Sequence, residues 1–201
     1  MKFLVLGHKN RNKLLRCLIS ICSNINRDFS IDVLYNYTNK EHFKKVLYIV
    51  QRFNPDITIT VKRFNVHKRD RFLSEDILML RKWINSNKII DNEQIVICTE
   101  NAIFTSTYIQ DILSSVDFSD INMVTGEKPL EEIHGNGGCV YKSEILKKIP
   151  NMQWRNFLNI NDLYLWYFRE FCQSKKFFHN IIDAETNKKF YILKYNNVII
   201  D

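Results

Sequence analysis

The run "KFLVLGHKNRNKLLRCLISICSNI", residues 2–25, decides how the chain is read. Phe3 to Leu6 are apolar without a break and end at Gly7, the pattern of a short strand covered on both faces. After a polar turn, Leu14, Leu18, Ile21, Cys22 and Ile25 fall at i, i+4, i+7, i+8 and i+11, one stripe of a 3.6-residue helix. A doubly buried strand followed at once by an amphipathic helix is the first half of a β-α-β unit, because parallel strands need a long crossover between them.

The alternation continues outward from that unit. "IDVLYNY" (31–37) reads as a second strand, and Phe43, Val46, Leu47 and Val50 mark a second helix. "DITITV" (56–61) is a third strand, with Leu73, Ile77, Leu80 and Ile84 marking the helix after it. "EQIVICT" (93–99) is a fourth, followed by a helix through Tyr108, Ile109, Ile112 and Leu113 that Thr105 or Ser106 caps. The second half is less regular. It holds a strand at "INMVTG" (121–126), a strand and helix in "CVYKSEILKKI" (139–149), and an amphipathic helix through Ile160, Leu163, Tyr164, Tyr167, Phe168 and Phe171. Strands joined by a turn near 185–188 close the chain. The expected fold is α/β, a mixed and mainly parallel central sheet flanked by helices, with a Rossmann-like N-terminal half. No linker or repeat divides the 201 residues, so one domain is expected. Residues from about 1 to 101 form a nucleotide half and those from about 102 to 201 a second half.

The bulk numbers set the partners. A formal charge of +7 suits a polyanion: nucleic acid, an anionic membrane or a phosphate-bearing small molecule. The densest basic block is "KRFNVHKRDR" (62–71). No apolar run reaches the ~18 residues of a membrane span, and "MKFLVLGHKN" lacks the features of a signal peptide. The five cysteines (Cys17, Cys22, Cys98, Cys139 and Cys172) are odd in number and lack zinc spacing, so buried free thiols and a cytoplasmic location are expected.

Ligands of such sheets bind beyond the carboxyl ends of the strands. The candidate contacts are therefore His8, Asn10 and Arg11 after the first strand and Asn36 after the second. Arg63, Lys68, Arg69 and Arg71 follow the third, and Thr99, Glu100 and Asn101 the fourth. "HGNGG" (134–138) holds three of the five glycines but matches no phosphate-binding loop.

These stretches together resemble the GT-A-fold glycosyltransferases, especially the large inverting class. "GHKNRNKLLRCLISI" (7–21) is similar to that family's first loop and helix, with Asn10, Arg11, Leu18, Ser20 and Ile21 in matching places. "VICTENAIFTSTYIQDIL" (96–113) resembles its aspartate-bearing strand, with Thr99-Glu100-Asn101 at the Asp-x-Asp position. "NINDLYLWYFREF" (159–171) resembles the phrase that opens the helix of the catalytic base, with Asn161 and Asp162 at its acidic pair. The composition would suit the compact transferases of large DNA viruses.

The resemblance implies a hexosyltransferase that moves a sugar from a nucleotide-diphosphate sugar, UDP-sugar favoured, to a glycan or glycoprotein hydroxyl. Asp162 would be the base of an inverting reaction. A divalent metal, Mn²⁺ or Mg²⁺, would sit on Glu100 and Asn101, with His179 as a distant third ligand. Arg63, Lys68, Arg69 and Arg71 would share the diphosphate charge. Gly137 and Gly138 would let backbone approach the sugar or acceptor, and His134 and Trp154 would stack on a sugar face. Three other readings stay open. One is a catalytically silent domain that binds a nucleotide sugar or glycan, favoured by the altered Asp-x-Asp position. Another is a basic nucleic-acid-binding domain, which lacks a recognition module. The third is a nucleotidyltransferase, which lacks an N-terminal phosphate signature.

Overall fold

The computed structural model describes residues 1–7, 10–23, 29–35, 40–63, 74–86, 93–104, 123–125, 139–160, 162–163, 166, 181–183 and 189–190. The first half alternates as expected. β1 (Lys2–Leu6), β2 (Ser30–Tyr35), β3 (Thr58–Arg63) and β4 (Gln94–Thr99) are separated by α1 (Arg11–Cys22), α2 (Lys40–Phe53) and α3 (Glu75–Ser86). β5 (Ala102–Phe104), β6 (Met123–Thr125) and β7 (Cys139–Lys142) follow, then α4 (Ser143–Lys148) and α5 (Asn151–Asn156). β8 (Ile181–Asp183) and β9 (Lys189–Phe190) pair antiparallel. The expected helix over 108–113 lies outside the described residues.

The main sheet has six strands in the order β3-β2-β1-β4-β7-β6. β3, β2, β1 and β4 run parallel, while β7 is antiparallel to both β4 and β6. Side chains alternate across it, as the pleat requires. Phe3, Val5, Ile31, Val33, Val96 and Cys98 face the core under α1 and α2. Leu4, Leu6, Leu34, Ile95 and Ile97 face the core under α3, α4 and α5. β1, β2 and β4 are apolar in their buried stretches because they are covered twice, with two exceptions, Asp32 in β2 and Thr99 at the end of β4.

Asp32 is 4% exposed in the middle of β2. Its Oδ2 accepts hydrogen bonds from Trp83 Nε1 at 2.8 Å and Lys62 Nζ at 3.0 Å. A buried carboxylate needs such partners. Lys62, counted with the basic block by sequence, is therefore an internal ion-pair partner.

A second sheet, β5-β8-β9, is tied to the first by Ser20 on α1. Ser20 Oγ donates to Cys17 O at 2.7 Å and accepts from the Phe104 N–H at 3.0 Å. No helix among the described residues is long and apolar enough to cross a membrane.

Candidate functional site

The order β3-β2-β1-β4 creates one topological switch point. From β1 the chain winds to β2 and β3 on one side, then α3 carries it back to β4 on the other. The strand order therefore reverses between β1 and β4, and ligands of open α/β sheets bind beyond the carboxyl ends of the strands at such a point. Two segments flank it: Asn10 and Arg11 after β1, and Glu100 and Asn101 after β4.

Parallel pairing extends past both strand ends. The Glu100 N–H donates to Leu6 O at 3.0 Å, and the Gly7 N–H donates to Leu34 O at 2.9 Å. Glu100 continues the Val96, Cys98 face of β4, so its side chain rises on the α1 side of the sheet. It is 5% exposed, and its Oε1 accepts the Asn10 N–H at 2.9 Å. Gly7 makes room: a Cβ there would stand 3.1 Å from Leu14 Cδ1 and 3.7 Å from Glu100 Oε2. Asn10 is the N-cap of α1, and its Oδ1 accepts the N–H groups of Asn12 at 3.0 Å and Lys13 at 3.2 Å.

Beneath the switch point lie two buried thiols. Cys17 Sγ donates to Thr99 O at 3.8 Å. Its pKa is pushed well above the usual thiol value, first by its hydrogen bond with the Cys98 thiol, then by burial and the nearby charges of Cys98 and Glu100. Cys22, on the same helix, is pushed up to about 12, chiefly by burial and then by the charge on Cys17. Cys17, Cys22 and Cys98 are free, as expected.

The other site residues separate into groups. Arg11, at the first position of α1, and Arg63, at the end of β3, are exposed at the carboxyl edge. Thr99 is 2% exposed, and its Oγ1 accepts the Asn101 N–H at 3.4 Å, so it shapes the turn and is closed to a ligand. Trp154 is a correction to the expected sugar platform. It is 2% exposed and packs edge-on against Phe157, centroids 5.6 Å apart, in the α3 core. His8, Asn36, Lys68, Arg69, Arg71, His134, Gly137, Gly138 and His179 lie outside the described residues.

Asp162 sits in a helical stretch whose N-cap is Asn159. Asn159 Oδ1 accepts the Asp162 N–H at 3.3 Å, and Asp162 Oδ2 accepts the N–H groups of Asn159 at 3.1 Å and Leu158 at 2.7 Å. This is a reciprocal capping box. The Ser74 N–H donates to Leu158 O at 2.8 Å, which ties the box to the start of α3. That start follows β3, so Asp162 stands at the carboxyl edge of the sheet, half-buried. Its Oδ1 has no hydrogen bond to a described residue.

The expected metal fits this set poorly. Mg²⁺ and Mn²⁺ want several hard oxygens. Residues 99–101 offer one buried carboxylate, already accepting an N–H, and one half-buried amide. Among the described residues no three His, Cys, Asp or Glu side chains form a metal-holding cluster.

No protein-family model matches the chain, and no curated protein sequence matches it. Solved structures do. The chain is similar to the glycosyltransferase GlyE of Streptococcus pneumoniae TIGR4, at 11% identity and TM-score 0.51, over 86% of this chain and 43% of that one. It is similar to the galactosyltransferase LgtC, solved with donor and acceptor sugar analogues, at 13% identity and TM-score 0.45, over 85% and 65%. TarS of S. aureus matches at 12% identity and TM-score 0.46, over 81% and 56%. The chain thus spans less than two thirds of each of these structures. The likeness to GlyE shows a shared fold, and the expected likeness to GT-A-type glycosyltransferases holds at that level.

Proposed function

We propose that the chain is a glycosyltransferase that binds a nucleotide-diphosphate sugar across the switch point between β1 and β4. The supporting observation is the switch point itself, with Asn10, Arg11, Glu100 and Asn101 gathered at its lips. The fold shared with GlyE is consistent with it. A UDP-sugar is the favoured donor and a glycan or glycoprotein hydroxyl the acceptor. Arg11, beside the end of β1, and Arg63, on the edge strand β3, are the cations assigned to the diphosphate in this reading.

Asp162 is the proposed base. Its Oδ2 is held by two N–H groups, which fix the carboxylate, and Oδ1 remains to take the acceptor proton. As the acceptor oxygen bonds to the anomeric carbon, the bond to the diphosphate breaks and the leaving group carries away the negative charge.

Asp162→Asn separates this role from the capping box. The amide oxygen can still accept both N–H groups, so the variant folds like the parent. Removing a general base costs about 10²–10⁴-fold in turnover. A panel of nucleotide-diphosphate sugars, scored for transfer and hydrolysis, tests both statements. Turnover by Asp162→Asn equal to the parent would show that Asp162 is only a cap. Donor binding without turnover in either protein would leave the silent donor-binding domain, the reading favoured by the engagement of Glu100 with Asn10. Absence of binding to every donor would overturn the proposal.

A further inference from the structure

We infer that Glu100 is a positioning residue, which closes the N-cap box of α1 from a distant strand, and not a metal ligand. The inference rests on the proposed donor site for its functional meaning, but its geometry stands without it.

A complete capping box has two reciprocal bonds. The N-cap side chain accepts from the N–H three residues on, and that third residue's acidic side chain accepts from the N-cap N–H. Among the described residues one such box is complete, Asn159 with Asp162. At α1 the first bond is present, since Asn10 Oδ1 accepts from Lys13 N–H at 3.2 Å. The second cannot form locally, because an ammonium at position 13 has no lone pair to offer. Glu100, 90 residues away, supplies the missing acceptor at 2.9 Å.

The consequence is a strut across the switch point. Glu100 leaves the end of β4, and Asn10 begins the helix after β1. Their bond holds the two lips of the switch point at a fixed separation. The carboxylate also complements the positive end of the α1 dipole. A Cβ at Gly7 would crowd Leu14 of α1, at 3.1 Å, while standing at an ordinary contact distance, 3.7 Å, from Glu100 Oε2. A residue at the Asp-x-Asp position thus spends its first oxygen on backbone, which rules out bidentate chelation of a metal in this arrangement.

Three variants, Glu100→Gln, Glu100→Ala and the double variant Glu100→Ala with Lys13→Glu, test this with two readouts. The first, amide hydrogen exchange at Asn10, needs no donor. The second is affinity for a nucleotide-diphosphate sugar, with Mn²⁺ and with a chelator. Glutamine keeps an acceptor oxygen, so Glu100→Gln retains Asn10 protection, and its donor affinity responds to Mn²⁺ no differently from the parent's. Alanine removes it. Losing a capping bond costs about 1.4 kcal/mol, so Glu100→Ala speeds exchange at Asn10 by about tenfold and weakens the donor correspondingly. Lys13→Glu rebuilds the local box and restores the protection.

Unchanged exchange in Glu100→Ala overturns the inference. So does a Glu100→Gln protein that keeps Asn10 protection but loses metal-dependent donor binding, the signature of a ligand. If no donor binds the parent protein, the proposed function fails while the exchange results still decide the strut. If Glu100→Ala does not fold, Glu100→Gln alone carries the same decision.

Discussion

Asp32→Ala is the sharpest test of how this sheet is held together. Asp32 accepts from Trp83 Nε1 and Lys62 Nζ, and Trp83 is fully buried. Cutting the carboxylate back leaves the indole N–H without its acceptor, a loss of about 1–3 kcal/mol for a buried donor. Lys62 is different. Its side chain is 29% exposed, so the ammonium can turn to water, and its share is about 1 kcal/mol. The sum is about 3 kcal/mol, a large part of the ~5–15 kcal/mol that stabilises a domain. With a urea slope of about 2 kcal/mol per molar, the midpoint drops by about 1.5 M. Asp32→Asn keeps an acceptor for Trp83 and loses only the charge, so it drops by about a third of that. Lys62→Ala combined with Asp32→Ala falls short of the sum of the single variants, because the pair shares one bond. Urea unfolding followed by tryptophan fluorescence gives all four numbers. A midpoint for Asp32→Ala within 0.2 M of the parent, on the order of the 0.5 kcal/mol seen for neutral surface changes, would refute the reasoning.

Ser20→Ala removes the acceptor of the Phe104 N–H at the buried junction between α1 and β5. The expected loss is about 1–2 kcal/mol in urea unfolding, with faster exchange at the Phe104 amide as the local sign. At high pH the buried thiols act on stability. The folded pKa of Cys22, about 12, is raised above its ordinary 9.0, so the folded chain keeps a proton that the unfolded chain releases. Its contribution is fully present below about pH 9 and is lost as pH rises toward about 12. Stability therefore falls with pH across that window, and Cys22→Ala shows the shallower fall; equal slopes in the two proteins would contradict the assignment.

The parts of the fold that were legible share one cause. β1, β2 and β4 are covered on both faces, so burial writes an unbroken apolar run. α1 to α3 are covered on one face, so it writes a stripe. β3 is less clear because it has one neighbour among the described strands, β2, and it ends in Lys62 and Arg63, which look like loop charges. Its observed bounds run two residues later than "DITITV" for that reason. β5 has three residues, and its partner β8 is about 80 positions away, so nothing local announces it. Asp32 did leave a signal, since a carboxylate amid "IDVLY" demands a buried partner, but nothing in the sequence says that Trp83 and Lys62 supply it. The site residues were legible as positions after strands. Their bonds were not, since a loop's hydrogen bonds depend on strands brought together from far apart. Asn10 and Glu100 were both expected to touch the donor, and each turns out to touch the other.

That contact bears on how a diphosphate is held. In dinucleotide-binding folds the phosphates sit on the free N–H groups at the start of the first helix. A helix begins with four such groups. At α1 those of Asn12 and Lys13 go to the Asn10 side chain, and the N-cap N–H of Asn10 itself goes to Glu100. A buried carboxylate also occupies the positive end of the helix, and at about 4 Å two negative charges near a protein surface repel by about 4 kcal/mol. Three of the four groups are thus engaged, and a phosphate entering there would have little beyond the Arg11 N–H to meet it. On the proposed function, the donor's charge would then be met from above the sheet edge, by side chains that reach outward from it. Arg11 leaves α1 at its first, exposed position, and Arg63 leaves the exposed end of β3. On the proposed function, the acid at residue 100 would therefore turn the diphosphate toward the arginines by disfavouring the alternative, a part in donor recognition for one carboxylate that Arg11→Ala would weaken and that a chelator would leave intact.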